Sequence, residues 1–309
     1  MKSIAACLPF STKASNFSCR CAGMAWIFCL LSLAVHAQSD TTQYHYAQIS
    51  LSNNGTLLYV RSTRDNKFNE IFVASAKGAQ AKKMASGMVP KWSPDGASFL
   101  YSVSRGQFFI SGMDTSLKTD PFKNSTAHDL VTATFSRDGK SIIFSQGAPP
   151  TADISIMNRE TREIKQVTAG PGLKWGADIS PDGKYMVYAY FIRAADRTIT
   201  DRGIIVKDLA SGEEKKISGF GEYPIWSHNG KSIAFFGHNN NEKPSHIYTV
   251  NPDGTGLRQL TEGEADETPQ WGPGDKQIFF VTRNTAGLWE IWTMNADGTA
   301  KEKRVGNRM

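Results

Sequence analysis

The amino-acid sequence predicts an all-β fold built from six similar units, and three observations support this prediction. A tight polar turn recurs along the chain, apolar strands of period two follow the turns, and no helix-period stretch competes after residue 37. The turn is clearest in four copies, which read WSPDG at Trp92–Gly96, FSRDG at Phe135–Gly139, ISPDG at Ile179–Gly183 and WSHNG at Trp226–Gly230. LSNNG at Leu51–Gly55 is a weaker first copy, and WGPGD at Trp271–Asp275 is a degenerate last one.

The spacing of these turns indicates a repeat protein. The glycines of the first five turns lie 41 to 47 residues apart. A unit of this length cannot bury its own apolar face and must stack on its neighbours. Each unit has room for four antiparallel strands, which is typical of a propeller blade. The sequence therefore predicts a six-bladed β-propeller of four-stranded antiparallel blades over residues 38–309.

Each element of a blade has its own signal. The aromatic or apolar residue before the turn ends the first strand, and Ser-Pro-Asp-Gly is a type I turn sequence. The second strand alternates apolar residues, as in Ser141–Ser145. The third strand is exemplified by His246–Val250 and the short outer strand by Arg258–Thr261. In the last blade the outer strand must come from Ala300–Val305, unless Gln38–Tyr46 pairs there and latches the ring.

Residues 1–37 have the features of an export signal. Their only charges are three basic residues, and the uncharged apolar run Met24–Val35 precedes a small-residue cleavage site at Ala37. The run is shorter than the roughly 20 residues that a transmembrane helix needs. We expect cleavage near Ala37, a mature chain from Gln38 with no membrane span, and a periplasmic or secreted location. An uncleaved anchor is the alternative.

Composition limits the chemistry of the mature chain. All four cysteines lie in the predicted signal, so neither disulfides nor thiol chemistry are expected after cleavage. Without the three basic residues of the signal, the net charge falls from +6 to +3. A charge this small, spread over the whole mature chain, gives no electrostatic reason to expect nucleic-acid binding.

The fifth unit, Trp226–Thr261, carries a family resemblance. It joins the turn W-S-H-N-G-K to the strands I-A-F-F and I-Y-T-V, the turn N-P-D-G-T-G and the outer segment R-Q-L-T. This combination resembles the PD40 (WD40-like) repeat of the TolB-type propeller family, and the resemblance extends over the chain after residue 37. It implies a six-bladed propeller and a place in the cell envelope. The α/β domain that precedes the propeller in TolB itself is not expected here, since only Gln38–Gln43 separate the signal from the first blade.

Sequence motifs of known catalytic sites are missing. The chain has no G-x-S-x-G of the hydrolases that accompany related propellers, no H-E-x-x-H zinc motif and no phosphate-binding glycine motif. His238 and His246 flank a loop rich in Asn, which we interpret as a solvated loop. The sequence therefore predicts no catalytic residue, no metal and no cofactor.

The alignment of the turns predicts which residues face the central channel. The residue before each turn and the one two positions earlier are apolar or small, as expected for packing between blades. The position between them is mixed and mostly polar, as expected beside water, and we call these six residues the channel column: Ser50, Lys91, Thr134, Asp178, Ile225 and Gln270. Charged residues and a tyrosine lie just upstream. The candidate binding face combines both groups: Lys91, Lys174, Asp178, Glu222, Tyr223, Glu267 and Gln270.

Two functions remain open at this point. The sequence favours a monomeric, non-catalytic module that binds an envelope protein or peptide at one face of the channel. Solvation of a wet channel is the alternative explanation of the same residues, and the insertion Arg193–Arg202 is either a partner-binding loop or a solvated hairpin extension. The alternative function is a carbohydrate-active enzyme, a polysaccharide lyase or hydrolase. It would need paired carboxylates or a metal, and the nearby carboxylates are Glu222, Asp266 and Glu267.

Overall fold

The computed structural model describes residues 43–63, 68–75, 81–239 and 244–306. Within these ranges the chain forms six four-stranded antiparallel sheets, which are the blades of the ring. The predicted six-bladed propeller is therefore confirmed. The predicted export signal and its cleavage site lie outside the described residues.

Every blade takes four consecutive strands, with the first innermost and the last outermost. The first two blades contain β1 (Tyr44–Leu51), β2 (Leu57–Thr63), β3 (Asn69–Ala74), β4 (Lys82–Ser86), β5 (Met88–Trp92), β6 (Ser98–Ser104), β7 (Gln107–Gly112) and β8 (Lys118–Thr119). The next two contain β9 (Leu130–Phe135), β10 (Ser141–Gln146), β11 (Asp153–Asn158), β12 (Ile164–Gln166), β13 (Leu173–Ile179), β14 (Tyr185–Arg193), β15 (Ile199–Asp208) and β16 (Glu214–Ser218). The last two contain β17 (Glu222–Trp226), β18 (Ile233–Gly237), β19 (His246–Val250), β20 (Arg258–Gln259), β21 (Asp266–Trp271), β22 (Gln277–Arg283), β23 (Trp289–Asn295) and β24 (Glu302–Val305).

The repeated turn between the first and second strands is held by its own side chains. In the fourth blade the Ser180 hydroxyl donates to Asp182 at 2.6 Å, and the Tyr185 amide donates to the Ser180 hydroxyl oxygen at 2.9 Å. Gly183 adopts a φ of 75°, a left-handed conformation that favours glycine. The same Ser-to-Asp or Ser-to-Asn hydrogen bond occurs in the first, second, third and fifth blades. These contacts explain why the turn sequence repeats.

The core lies between neighbouring blades, as the stacking argument requires. The predicted inter-blade residue Trp226 is 2% exposed and packs with apolar residues of the fourth and fifth blades. Phe235 and Val187 belong to the same cluster, one from each blade. Each blade thus completes the apolar surface of the next.

The ring closes through side chains, and each terminal strand stays in its own blade. β24 pairs with β23, with Val305 opposite Ile291, which confirms the prediction that Ala300–Val305 supplies the last outer strand. β1 pairs with β2 in the first blade. Within the described ranges, no strand from the N-terminal end joins the sixth sheet. Instead, Tyr59 of the first blade and Phe279 of the sixth lie in one buried cluster.

Candidate functional site

The innermost strand of every blade has a β-bulge, where its register against the second strand shifts close to the start of the strand. In five of the six blades, one residue within the shift has a left-handed backbone. These residues have φ between 47° and 63°: Gln48, Val89, Gly176, Tyr223 and Thr268. Four of them are not glycine, so this conformation costs energy there. Bulges redirect side chains and are common next to functional sites, and here they turn residues towards the channel.

A cavity of about 450 Å³ fills the channel at this level. Inner strands of all six blades line it, and the whole channel column takes part. The bulge residues Gln48, Val89, Gly176, Tyr223 and Thr268 also line it, as do Glu222, Glu267 and His238. The structure therefore brings together six of the seven candidate residues: Lys91, Asp178, Glu222, Tyr223, Glu267 and Gln270. We call the end of the channel where the inner strands begin the entrance.

An acidic pair, Glu222 and Glu267, marks the entrance. Burial raises the pKa of the Glu267 carboxyl, and the Glu222 carboxylate raises it further, while His238 opposes both effects. Burial also raises the pKa of Glu222, against His238 and Arg202. Part of the Glu222 side chain still contacts solvent, and water screens this charge. The acidic pair therefore carries two carboxyls that repel each other.

Tyr223 forms a flat wall beside the acidic pair. Its ring stacks on Phe236 with 6.0 Å between the centroids and 8° between the planes. Burial, followed by the charges of Glu222 and Glu267, raises the pKa of its hydroxyl, so the phenol stays neutral at ordinary pH. An aromatic face next to two carboxyls suits a ligand group that is both cationic and partly apolar.

Lys91 is the basic group of the cavity. It lies in the second blade, opposite the fifth blade in a six-membered ring. Burial lowers the pKa of its ammonium, and the charge of Asp178 opposes that shift. Within the described residues, no hydrogen bond or ion pair joins Lys91 to the acidic pair.

Asp178 is held in a contact between three blades. Its Oδ2 accepts hydrogen bonds from Arg137 Nη2 at 3.1 Å and from the Trp226 amide at 2.9 Å. Arg137 Nη2 also donates to the Trp226 carbonyl oxygen at 2.7 Å, and its Nε donates to the Ile179 carbonyl oxygen at 3.2 Å. Asp178 lines the cavity, but through these contacts its carboxylate holds the third, fourth and fifth blades together.

Lys174 points away from the cavity. Its side chain is 8% exposed, and its ammonium lies 2.9 Å from Asp153 Oδ1. The same ammonium donates to the carbonyl oxygens of Gly170 and Pro171. Lys174 thus ties the start of the fourth blade to the third and does not share a site with the other candidates.

Two residues near the entrance were not selected from the sequence. His238 follows β18, lines the cavity, and acts electrostatically on both carboxyls of the acidic pair. Its buried Nδ1 has no hydrogen-bond partner among the described residues. His238 thus lies beside the cavity, while the loop that it flanks falls partly outside the described residues, so the interpretation of that loop as solvated stays a prediction. Arg202, in the long hairpin of the fourth blade, acts on Glu222. No motif marks either residue, because only the fold brings β15 of the fourth blade close to the end of β18 in the fifth.

The third nearby carboxylate, Asp266, does not join the acidic pair. It is 1% exposed, accepts a hydrogen bond from the Gly263 amide at 3.1 Å, and lies 3.8 Å from His246 Nδ1. Across the described ranges, no three His, Cys, Asp or Glu side chains are placed to hold a metal ion. In the same part of the chain, no helix is long and apolar enough to cross a membrane.

Comparisons of sequence place these repeats among known proteins. The family profile described as the TolB beta propeller domain (PD40) matches residues 57–308. A Bacillus subtilis (strain 168) protein, described as the uncharacterized peptidase YuxL, is 28% identical over 151 residues, which are 47% of this chain and 22% of that protein. The Tol-Pal system protein TolB of Francisella tularensis subsp. mediasiatica (strain FSC147) is 23% identical over 224 residues. That match covers 68% of this chain and 48% of TolB, so the chain spans less than half of either relative.

Solved structures share the fold at low sequence identity. TolB from Acinetobacter baumannii matches with a TM-score of 0.63 and 19% identity over 86% of this chain and 64% of that one. Oligogalacturonate lyase from Vibrio parahaemolyticus matches with a TM-score of 0.56 and 12% identity over 82% of this chain and 90% of that one. The same architecture thus occurs in proteins that are named for different functions.

Proposed function

This chain belongs to the TolB β-propeller domain family, and from that premise we propose that it is a non-catalytic module that binds a protein or peptide of the cell envelope. Its binding face is the entrance of the central channel. The main support is the convergence of Glu222, Tyr223, Glu267 and His238 on one cavity. Concave sites with a few converging polar groups are typical ligand sites.

The acidic pair is the best place to test this proposal. The full chain, immobilised, would be incubated with an envelope extract, and the retained proteins would be identified by mass spectrometry. We expect Glu222→Lys with Glu267→Lys to abolish capture, because reversing two charges at a binding rim removes electrostatic complementarity. The fold should survive, since no hydrogen bond within the described residues depends on these carboxylates.

A matched control separates a local effect from a change of net charge. Glu262→Lys with Glu264→Lys makes the same charge change at two exposed residues just before β21. This control should capture as the unmodified chain does. Unchanged capture by the Glu222/Glu267 variant at unchanged stability would place the binding site elsewhere. Equal losses in both variants would indicate non-specific attraction.

The proposal includes export of the chain. We propose that residues 1–37 are removed and that the mature protein, a monomer, works in the periplasm or outside the cell. The apolar run Met24–Val35 and the small-residue site at Ala37 support this. Mass spectrometry of the protein from native cells should give an N-terminus at Gln38, and a mass that includes residues 1–37 would contradict export.

One observation favours a second function, carbohydrate cleavage. Two carboxyls with raised pKa share one cavity, and a raised pKa is what a general acid needs in glycoside hydrolysis. Incubation with polygalacturonate and neutral polysaccharides, with detection of new reducing ends, tests this. Activity that is lost in Glu267→Gln and kept in Glu264→Gln would support the enzyme and overturn the non-catalytic proposal.

A further inference from the structure

The charged groups of the cavity form two poles at different depths. Glu222 and Glu267 each come three residues before a member of the channel column, Ile225 and Gln270, while Lys91 is itself in that column. A strand rises about 3.3 Å per residue, and the bulge in each of these strands absorbs one residue of that rise, so the acidic pair lies up to about 7 Å closer to the entrance than Lys91. The poles also come from opposite sides of the ring, since Lys91 belongs to the second blade and Glu222 to the fifth.

No hydrogen bond or ion pair within the described residues joins Lys91 to Glu222 or Glu267. The charges with a clear effect on the pKa values of the acidic pair are His238, Arg202, Asp266 and the pair itself. The charge that acts on Lys91 is Asp178. That carboxylate already accepts hydrogen bonds from Arg137 and the Trp226 amide. Neither pole is paired with the other, so a ligand group of opposite charge would stabilise the charged form of each.

Resting on the proposed binding function, we infer that the cavity takes an extended peptide segment with a basic side chain between Glu222 and Glu267 and an acidic side chain deeper in the channel, at Lys91. An extended chain spans about 3.3 Å per residue, and the poles are separated both along the channel and across it, so these two side chains are about three residues apart in the segment. A segment with two basic groups would bring one against Lys91. A segment with two acidic groups would bring one against the acidic pair.

The wall at Tyr223 favours a basic side chain over a metal ion at the entrance. A lysine or arginine carries a long apolar stem below its charge, and such stems lie along apolar or aromatic surfaces. The stacked rings of Tyr223 and Phe236 provide that surface next to both carboxyls. Carboxylates alone would not distinguish the two kinds of cation.

Short capped peptides test the charge order directly. Acetyl-Lys-Gly-Gly-Glu-amide is the dipolar probe, and the analogues with two Lys, two Glu or two Gln at the same positions are its controls. Calorimetric titration of the full chain at low salt, with a chelator present, should give the dipolar probe roughly tenfold tighter binding than any control, which corresponds to about 1.4 kcal/mol. The reversed peptide, with Glu first, is included because a peptide can enter in either direction.

Substitutions at each pole test which charge of the peptide binds there. Lys91→Gln should remove the advantage of the dipolar probe over the two-Lys probe and leave or improve binding of the two-Lys probe. Glu222→Gln with Glu267→Gln should weaken both probes roughly tenfold or more. Glu262→Gln with Glu264→Gln, the exposed control, should change neither. Equal binding of all four probes, no binding of either dipolar peptide at millimolar concentration, or insensitivity to Lys91→Gln would each overturn the inference.

Failure of the dipolar-ligand inference can be distinguished from failure of the proposed binding function. If envelope capture needs Glu222 and Glu267 but is unaffected by Lys91→Gln, and dipolar peptides show no advantage, the binding function stands and the dipolar ligand is wrong. If dipolar peptides bind as expected while the chain captures no envelope protein, the ligand chemistry stands and the proposed envelope role is wrong.

Discussion

The guanidinium of Arg137 lies 3.1 Å from the carboxylate of Asp178, and this contact joins the third blade to the fourth. The same guanidinium reaches the Trp226 carbonyl oxygen in the fifth blade at 2.7 Å. One side chain therefore spans three consecutive blades at the turn end of the channel. Arg137 is the third residue of the turn FSRDG, where the second and fourth blades have proline. A departure from the repeat thus provides a specific link across the ring.

Removing this link should destabilise the propeller. Hydrogen bonds to charged groups are worth about 1.5–3 kcal/mol each, and Asp178 would lose a charged partner, so we expect Arg137→Met to cost about 2 kcal/mol. Urea denaturation measures this cost. Asp178→Asn and the double variant complete a mutant cycle, in which the effects should not add because the residues are in contact. Additive effects would mean that the contact contributes nothing to stability.

Trp226 should be among the most sensitive core positions. It is 2% exposed and lies between two blades, so Trp226→Ala should cost roughly 3–5 kcal/mol. Its indole N–H has no hydrogen-bond partner among the described residues, so Trp226→Phe loses volume alone and should cost clearly less. Leu257→Ala, at a side chain that is 46% exposed, is the control and should change stability by at most about 0.5 kcal/mol. A denaturation midpoint equal to wild type for Trp226→Ala would contradict the inter-blade packing.

The fold was predictable from the sequence because the repeats are built from similar local interactions. Ser180, Asp182 and Gly183 make a turn whose hydrogen bonds lie within a few residues, and the apolar alternation that follows needs only the next strand. Because the residues that make these interactions are close together in the chain, the sequence pattern identifies them directly. Five such turns and a degenerate sixth, each followed by apolar strands, then leave a ring of blades as the way to bury every apolar face.

The candidate site was predictable only in part. The channel column follows from the two-residue period of a strand, and all six of its members line the cavity. Lys174 precedes a bulge and carries a charge like the other candidates, but its pairing with Asp153 depends on how the third blade approaches the fourth. His238 directly follows β18, and its place beside the cavity depends on how the fifth blade packs in the ring. Contacts between different blades leave no pattern in one sequence.

Closure of the ring should depend on the C-terminal strand. β24 covers the edge of β23, and Val305 packs against the cluster that contains Tyr59 and Phe279. Truncation after Ala300 should therefore lower the thermal midpoint and broaden the transition, because it uncovers a strand edge and opens the cluster between the first and last blades. The substitution Val305→Ala should show a smaller effect in the same direction. An unchanged midpoint after truncation would mean that β24 does not support closure.

The acidic pair should make stability fall as pH rises through the weakly acidic range. Burial raises the folded-state pKa of Glu222 and Glu267 above the unfolded value of 4.5, so the folded chain binds more protons than the unfolded chain between these values. Stability therefore falls as pH rises there, and the loss of stability is complete above the raised pKa.

Glu222→Gln with Glu267→Gln should raise the thermal midpoint relative to wild type near pH 8, with the difference vanishing below about pH 4. Glu262→Gln with Glu264→Gln should give no such pH-dependent difference, and a Glu222/Glu267 variant that is less stable than wild type near pH 8 would show that the two carboxyls are favourably paired in the folded chain.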